Sequence, residues 1–275
     1  MFYIEAVLQK SALRIPLLCR RPFLKRILAL ACAALGALAL VGTTQTALTS
    51  EPVAQPQRII GGTPVQTPYS FYALLMSNGR GGCGASLIAP QWLTTATHCI
   101  SSPTGKSVRI GSTSMSSGGE VINVGQVIKG PSDLTLIKLV SPSTKTPIKL
   151  ASVAPAPGQV HRLIGHGATN PNNGPMSEQL MEVDVSVVAN NSCSQGGINA
   201  LELCYQGSGG KSACHGDSGG PSVFNGELYG ATHGPGIPSL DCAGGLGIYE
   251  SIFAQKAWIN QQTGGAVSAW EASLR

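Results

Sequence analysis

The sequence predicts an all-β protein finished by one C-terminal helix, and three observations predict it. Glycine is frequent, at 35 of 275 residues, with 18 prolines beside it. Only 11% of residues are charged while 43% are hydrophobic, which excludes global disorder and leaves few of the charged runs that long surface helices carry. Short apolar segments alternate with turn-forming clusters of Gly, Ser, Asn and Pro.

Taken in order, buried strands are predicted from Phe71 to Met76, Ala85 to Ile88, Val121 to Val127, and Leu134 to Leu139. Further strands are predicted from Val183 to Val188, Pro221 to Phe224, and Leu228 to Ala231. The helix runs from Ser251 to Gln262, with Ile252, Ala257, Trp258 and Ile259 available for one buried face. Residues 264–275 read as a loose tail. No internal repeat is strong enough to use.

The chain is preceded by a leader. Residues 27–41 are apolar and follow a basic stretch. The run is short of the about 20 residues of a membrane span and suits the core of an export signal over residues 1–47, cut near Ala47. Arg20-Arg21-Pro22-Phe23-Leu24-Lys25 matches the twin-arginine pattern, with Cys19 in the place usually held by Ser or Thr. An ordinary charged n-region is the alternative. Residues 48–58 are polar, contain proline and end at Arg58, as a short pro-segment would; a plain linker is the alternative. The leader carries seven of the 18 basic residues and two of the 13 acidic ones, so the rest of the chain is balanced, 11 against 11. Nothing in that balance suggests a nucleic-acid surface. The expected destination is secreted or periplasmic, with the membrane met only during export.

Six cysteines follow the leader: Cys83, Cys99, Cys193, Cys204, Cys214 and Cys242. An even number in an exported chain reads as three disulfides. The close CxxC pairs of a metal site are missing, so no metal and no cofactor is expected.

Three segments carry chemistry. Gly216-Asp217-Ser218-Gly219-Gly220-Pro221 sets a serine among glycines, whose missing side chains let a substrate carbonyl approach closely. Thr94-Thr95-Ala96-Thr97-His98-Cys99 supplies a candidate base. Asp133 opens the apolar strand Leu134–Leu139, either as a solvated end cap or as a buried orienting carboxylate. Nucleophile, base and carboxylate are what acyl transfer to water requires.

Together with Ile59-Ile60-Gly61-Gly62, these motifs occur in an order that resembles the trypsin/chymotrypsin family of serine proteases, from about Ile59 to about Gln262. The order His, Asp, Ser separates that family from subtilisins and α/β-hydrolases. The resemblance implies two packed six-stranded antiparallel Greek-key barrels, about 59–150 and 151–250, within a peptidase domain of 59–263. It implies a triad of Ser218, His98 and Asp133, and an oxyanion hole from the N–H groups of Gly216 and Ser218. It implies cystines Cys83–Cys99, Cys193–Cys204 and Cys214–Cys242. Cleavage after Arg58 would free the amine of Ile59 to pair with Asp217 and shape the oxyanion loop.

Several positions depart from the family. Ser212 stands at the base of the S1 pocket, where trypsin-like members carry Asp, so a non-basic, apolar or mixed P1 preference is expected. Gly247 matches another wall position and leaves space open. Where animal members have Ser-Trp-Gly, an ungapped count places His233-Gly234-Pro235; a one-residue gap would put Gly234 in the Gly place instead. Lack of the Trp is common in bacterial members, which makes this a bacterial-type secreted member on that reading. His233 is a partner near Asp133, a pocket residue favouring acidic P1, or a satisfied turn histidine. His215 is a rim residue. Gly165-His166-Gly167 replaces a frequent Gly-Trp-Gly. His161 and Phe224 take places that form a further disulfide in many relatives, so packing must replace that link.

The expected function is a secreted serine endopeptidase made as a zymogen, working as a monomer. Its expected partners are protein or peptide substrates, an activating protease and protein inhibitors. The alternative is a non-catalytic binding module on the same fold.

Overall fold

The computed structural model describes residues 59–168, 170 and 174–275. The predicted export signal, the pro-segment and Arg58 lie outside the described residues. After the short β1 (Thr63–Pro64) come β2 (Tyr72–Ser77), β3 (Arg80–Ala89), β4 (Trp92–Ala96), β5 (Lys106–Ile110), β6 (Glu120–Lys129) and β7 (Leu134–Leu139). These six close into an antiparallel barrel in the order β2-β3-β4-β7-β6-β5. After β8 (Lys149–Leu150), a second set follows: β9 (Val160–Gly165), β10 (Met181–Val188), β11 (Glu202–Gln206), β12 (Pro221–Phe224), β13 (Glu227–Pro235) and β14 (Leu246–Ser251). It closes in the order β9-β10-β11-β14-β13-β12. The two orders are the same pattern, repeated. The fold is the two-barrel architecture that the resemblance implies.

Alternation of side chains explains the cores. In β10, Met181, Val183, Val185 and Val187 are buried, with residues between them turned outward, as a half-covered strand requires. β2 is buried on both faces. Ala73 and Leu75 fill the first barrel, while Tyr72, Leu74 and Met76 pack against Ile164 and Leu180 of the second half. That shared layer is what lets loops of both barrels meet at one seam.

Three sequence expectations change. Residues 59–64, expected in the first barrel, pack with the second. Ile59 is buried among Leu163, Val183 and Tyr205, Ile60 bridges to Ser212, and β1 pairs with β10. The C-terminal helix, α1 (Ile252–Gln262), is capped by Ser251, whose hydroxyl accepts the Ala254 N–H at 3.2 Å. Its buried face is Ile252, Gln255 and Ile259, while Ala257 is exposed. Residues 264–275 are not a loose tail. α2 (Ala266–Ala272) buries Val267 beside Leu228 and Ile259, and Glu271 accepts the Leu150 N–H at 2.8 Å. Two successive glycines in the left-handed region, Gly264 and Gly265, turn the chain back onto the core.

Candidate active site

Strand pairing brings the first two candidates together. β4 runs antiparallel to β7, with Thr95 opposite Thr135 and Ala96 opposite Leu134. The turn Thr97–Cys99 that follows β4 must therefore lie beside Asp133, which precedes β7. The Thr97 N–H donates to the Asp133 carbonyl at 2.5 Å. The His98 N–H donates to Asp133 Oδ1 at 3.0 Å, and His98 Nδ1 lies 2.6 Å from Asp133 Oδ2. Both carboxylate oxygens are thus committed to one residue, which fixes the ring plane and leaves Nε2 facing away. Asp133 is nearly buried and His98 half open to solvent.

Ser218 arrives from the second barrel. Its carbonyl accepts the Gly84 N–H of β3 at 2.8 Å, and the Gly219 N–H donates to the Thr232 carbonyl at 2.7 Å. Gly219 is required here: φ is +73°, and a Cβ would stand 2.3 Å from Thr95 Oγ1 and 2.6 Å from the Ala96 nitrogen. Only a bare backbone can press the serine loop against the strand that leads into the His98 turn. The Cys83–Cys99 disulfide ties β3 to the same turn. Gly216 adopts φ +94°, and among the described residues no acceptor is seated on the N–H of Gly216 or Ser218.

Asp217 is fully enclosed. It accepts the Gly167 N–H at 2.7 Å and the Cys214 N–H at 2.9 Å. A Cβ on Gly165 or on Gly167 would sit 2.0 Å from one of its oxygens, so that glycine pair is the cradle of the carboxylate. Burial pushes the Asp217 pKa up to about 7, against the two N–H groups that lower it. No cation pairs with it among the described residues. Ile59, by contrast, is buried with φ +47°, a costly conformation for a β-branched residue.

Beside Ser218 opens a cavity of about 130 Å³, walled by Ser212, His215, His233, Pro235, Gly247 and neighbours. The remaining two disulfides, Cys193–Cys204 and Cys214–Cys242, complete the three pairs that the resemblance implies. Cys214–Cys242 braces the cavity.

The family model described as Trypsin matches residues 59–259. The chain belongs to the trypsin family. Serine protease 1 of Canis lupus familiaris is 32% identical over 82% of this chain and 96% of its own length. Trypsin beta of Drosophila erecta is 30% identical over 74% and 87%. Among solved structures, neuropsin, a serine protease expressed in the limbic system of mouse brain, superposes with a TM-score of 0.68 at 28% identity, covering 74% of this chain and all of its own. The chain is a serine endopeptidase by descent, and the binding-module alternative loses its ground. These relatives are animal proteins, so the bacterial-type expectation gains no support from them.

Ser212 is buried and its hydroxyl donates to the Cys242 carbonyl at 2.6 Å, so its one proton is spent. Pro235 lies directly opposite Gly247 in the β13–β14 ladder, with no N–H to offer. His215 lines the cavity, with Nε2 2.7 Å from Asp241 Oδ2. His161 and Phe224 stack with ring centroids 5.0 Å apart, the packing that stands in for the missing disulfide.

Sequence reasoning missed Asp241, Glu202 and Glu250. His233 Nδ1 lies 2.6 Å from Glu202, and its Nε2 lies 3.8 Å from Asp133 Oδ2. Glu202, His233 and Glu250 each present a ligand atom within 4.8 Å of the others. Acids inside the apolar strands Glu202–Gln206 and Leu246–Ser251 were the available signal. A metal is not needed to explain them, since each makes hydrogen bonds to protein groups.

Proposed function

We propose that this chain is a secreted endopeptidase, made as a zymogen and activated by cleavage after Arg58, with Ser218, His98 and Asp133 as its triad. The observation that carries the reading is the double clasp of His98 by Asp133, with the Ser218 loop pressed onto the strand that delivers it. On this reading Ser218 Oγ attacks the scissile carbonyl while His98 takes its proton. His98 then gives that proton to the leaving amine, and water hydrolyses the acyl-enzyme by the same steps. Asp133 holds the tautomer and offsets the imidazolium charge. The N–H groups of Gly216 and Ser218 receive the oxyanion, and losing one such donor typically costs about 100- to 1000-fold in rate.

The activation reading is supported by the state of Asp217, a buried carboxylate whose pKa burial has raised and which pairs with no cation among the described residues. A free amine at Ile59 would supply that cation. The P1 reading is supported by Ser212, which brings no charge to the cavity floor. Non-basic residues, apolar or mixed, are the expected P1 choice. Among the described residues no helix is long and apolar enough to cross a membrane. The basic and then apolar leader supports secretion.

The test is direct. The chain is treated with a fluorophosphonate probe before and after cleavage at Arg58–Ile59, and then profiled on a peptide library. Labelling of Ser218 only after cleavage is expected. Absence of labelling in the cleaved protein sinks the triad, and strong Arg or Lys selectivity sinks the P1 reading.

A further inference from the structure

Behind Asp133 lies a cluster of charge that acyl transfer does not itself use. Glu202 of β11 and Glu250 of β14 stand directly opposite one another and are both buried. Like charges paired across strands repel, and buried carboxylates demand donors. Glu250 Oε1 accepts the Ser132 hydroxyl at 2.8 Å and the Asp133 N–H at 2.9 Å, and its Oε2 accepts Gln255 Nε2 at 2.6 Å. Glu202 Oε2 accepts the Asn199 N–H at 2.7 Å, leaving Oε1 for His233 Nδ1 at 2.6 Å. The other His233 nitrogen, Nε2, is 3.8 Å from the Asp133 oxygen that holds His98. Both His233 nitrogens therefore face carboxylates, and only the imidazolium carries an N–H on each. A register shift between Thr232 and Gly234 aims the ring this way. The titratable groups facing it are Glu202, Glu250, Asp133 and His98, whose ring centroid is 6.1 Å distant.

We propose that His233 is a positioning residue: a cationic strut between Glu202 and Asp133 that competes with His98 for the Asp133 carboxylate. The proposal rests on the triad reading and deepens it. The hydrogen bond to Glu202 raises the His233 pKa, burial opposes it, and Asp133 and Glu250 add to the rise. The carboxylates on either side thus favour the charged form of the strut. Its positive charge lies beside the His98 ring, with centroids 6.1 Å apart, and repels a second imidazolium there.

Two readouts test this. In the chain cleaved after Arg58, the pH profile of kcat/KM is measured for the wild type, His233→Gln, Glu202→Gln and His233→Lys. The acid limb should move up by roughly one pH unit in the first two variants, the second because His233 then gives up its proton more readily. It should stay in place in His233→Lys, which keeps a cation. In parallel, the His98 imidazole is titrated by ¹⁵N NMR in the full chain carrying Ser218→Ala, with and without His233→Gln. The same upward movement is expected there whether or not the chain turns over substrate. An unmoved His98 titration overturns the strut, as does a limb that stays put while kcat or KM alone changes. An inactive cleaved protein whose His98 titration still responds would sink the triad reading and leave the strut standing.

Discussion

The two barrels close their strands in the same order, yet they are filled differently. The first is packed with aliphatic side chains such as Leu75, Leu87, Leu93, Val108 and Ile137. The second encloses Tyr205, Tyr249 and His161, with Asp217, Glu202 and Glu250 buried about it. The first barrel needs only shape, and it presents His98 and Asp133 on the ends of two paired strands. The second must satisfy buried charge, so its loops carry the elements that activation and selectivity would act on. One topology therefore supports a rigid mount on one side and a chargeable, adjustable wall on the other.

The sharpest way to test that division is to remove the contribution of each side to the chemistry. Ser218→Ala, from the second barrel, should abolish turnover, with a loss of roughly 10⁶-fold in kcat. Asp133→Asn, from the first, should leave the fold intact and lower kcat by roughly 10⁴-fold, the drop known for the template enzyme. Comparable thermal melts alongside those losses would show that each acts on catalysis alone. A small loss in either variant breaks the division.

Stability should separate the barrels next. Leu87→Ala should cost about 2–5 kcal/mol at any pH, measured by denaturant unfolding, because the first barrel's core has no titratable member. His161 in the second barrel behaves otherwise. Burial lowers its pKa to about 4, below the unfolded value near 6.5. The native state then binds fewer protons than the unfolded one, so His161's contribution is complete above about pH 6.5. It declines as pH falls and is lost once pH passes below about 4, by about 3 kcal/mol in all. A His161→Phe variant, stacked on Phe224 in the same way, should flatten that acid limb. An unchanged limb would remove His161 as the source.

The smallest effect expected is at the wall. Ser212→Asp should raise kcat/KM for Arg and Lys substrates by roughly tenfold, about 1.4 kcal/mol, and lower it for apolar ones. A gain without a change in preference would mean that Pro235 and the His215–Asp241 pair govern selection instead.

Much of this was legible in the residues. Local order produced the strands Leu134–Leu139 and Val183–Val188, the helix and the motif sequence, because apolar periodicity and glycine placement are local properties. Strand Val160–Gly165 was missed because His161 and Arg162 interrupt its apolar character, and stacking on Phe224 with hydrogen bonding to Ser222 and Tyr205 lets the histidine be buried. The second helix was missed because Val267 and Trp270 gain meaning only against Leu228 and Ile259. The repeated topology was invisible, since aliphatic and aromatic fillings leave no common sequence pattern.

The residues alone supply the chemistry on offer: a serine among glycines, a histidine, an acid, and an Arg–Ile junction before them. They also set the chain's fold class through their short apolar segments. Tertiary structure alone decided which acids surround Asp133, where His233 points, and that Ile59 joins the second barrel. Those outcomes depend on strand register and on charges brought together from residues 133, 202, 233 and 250. Burial then makes each of those charges answer to the others, and no local stretch of chain encodes that.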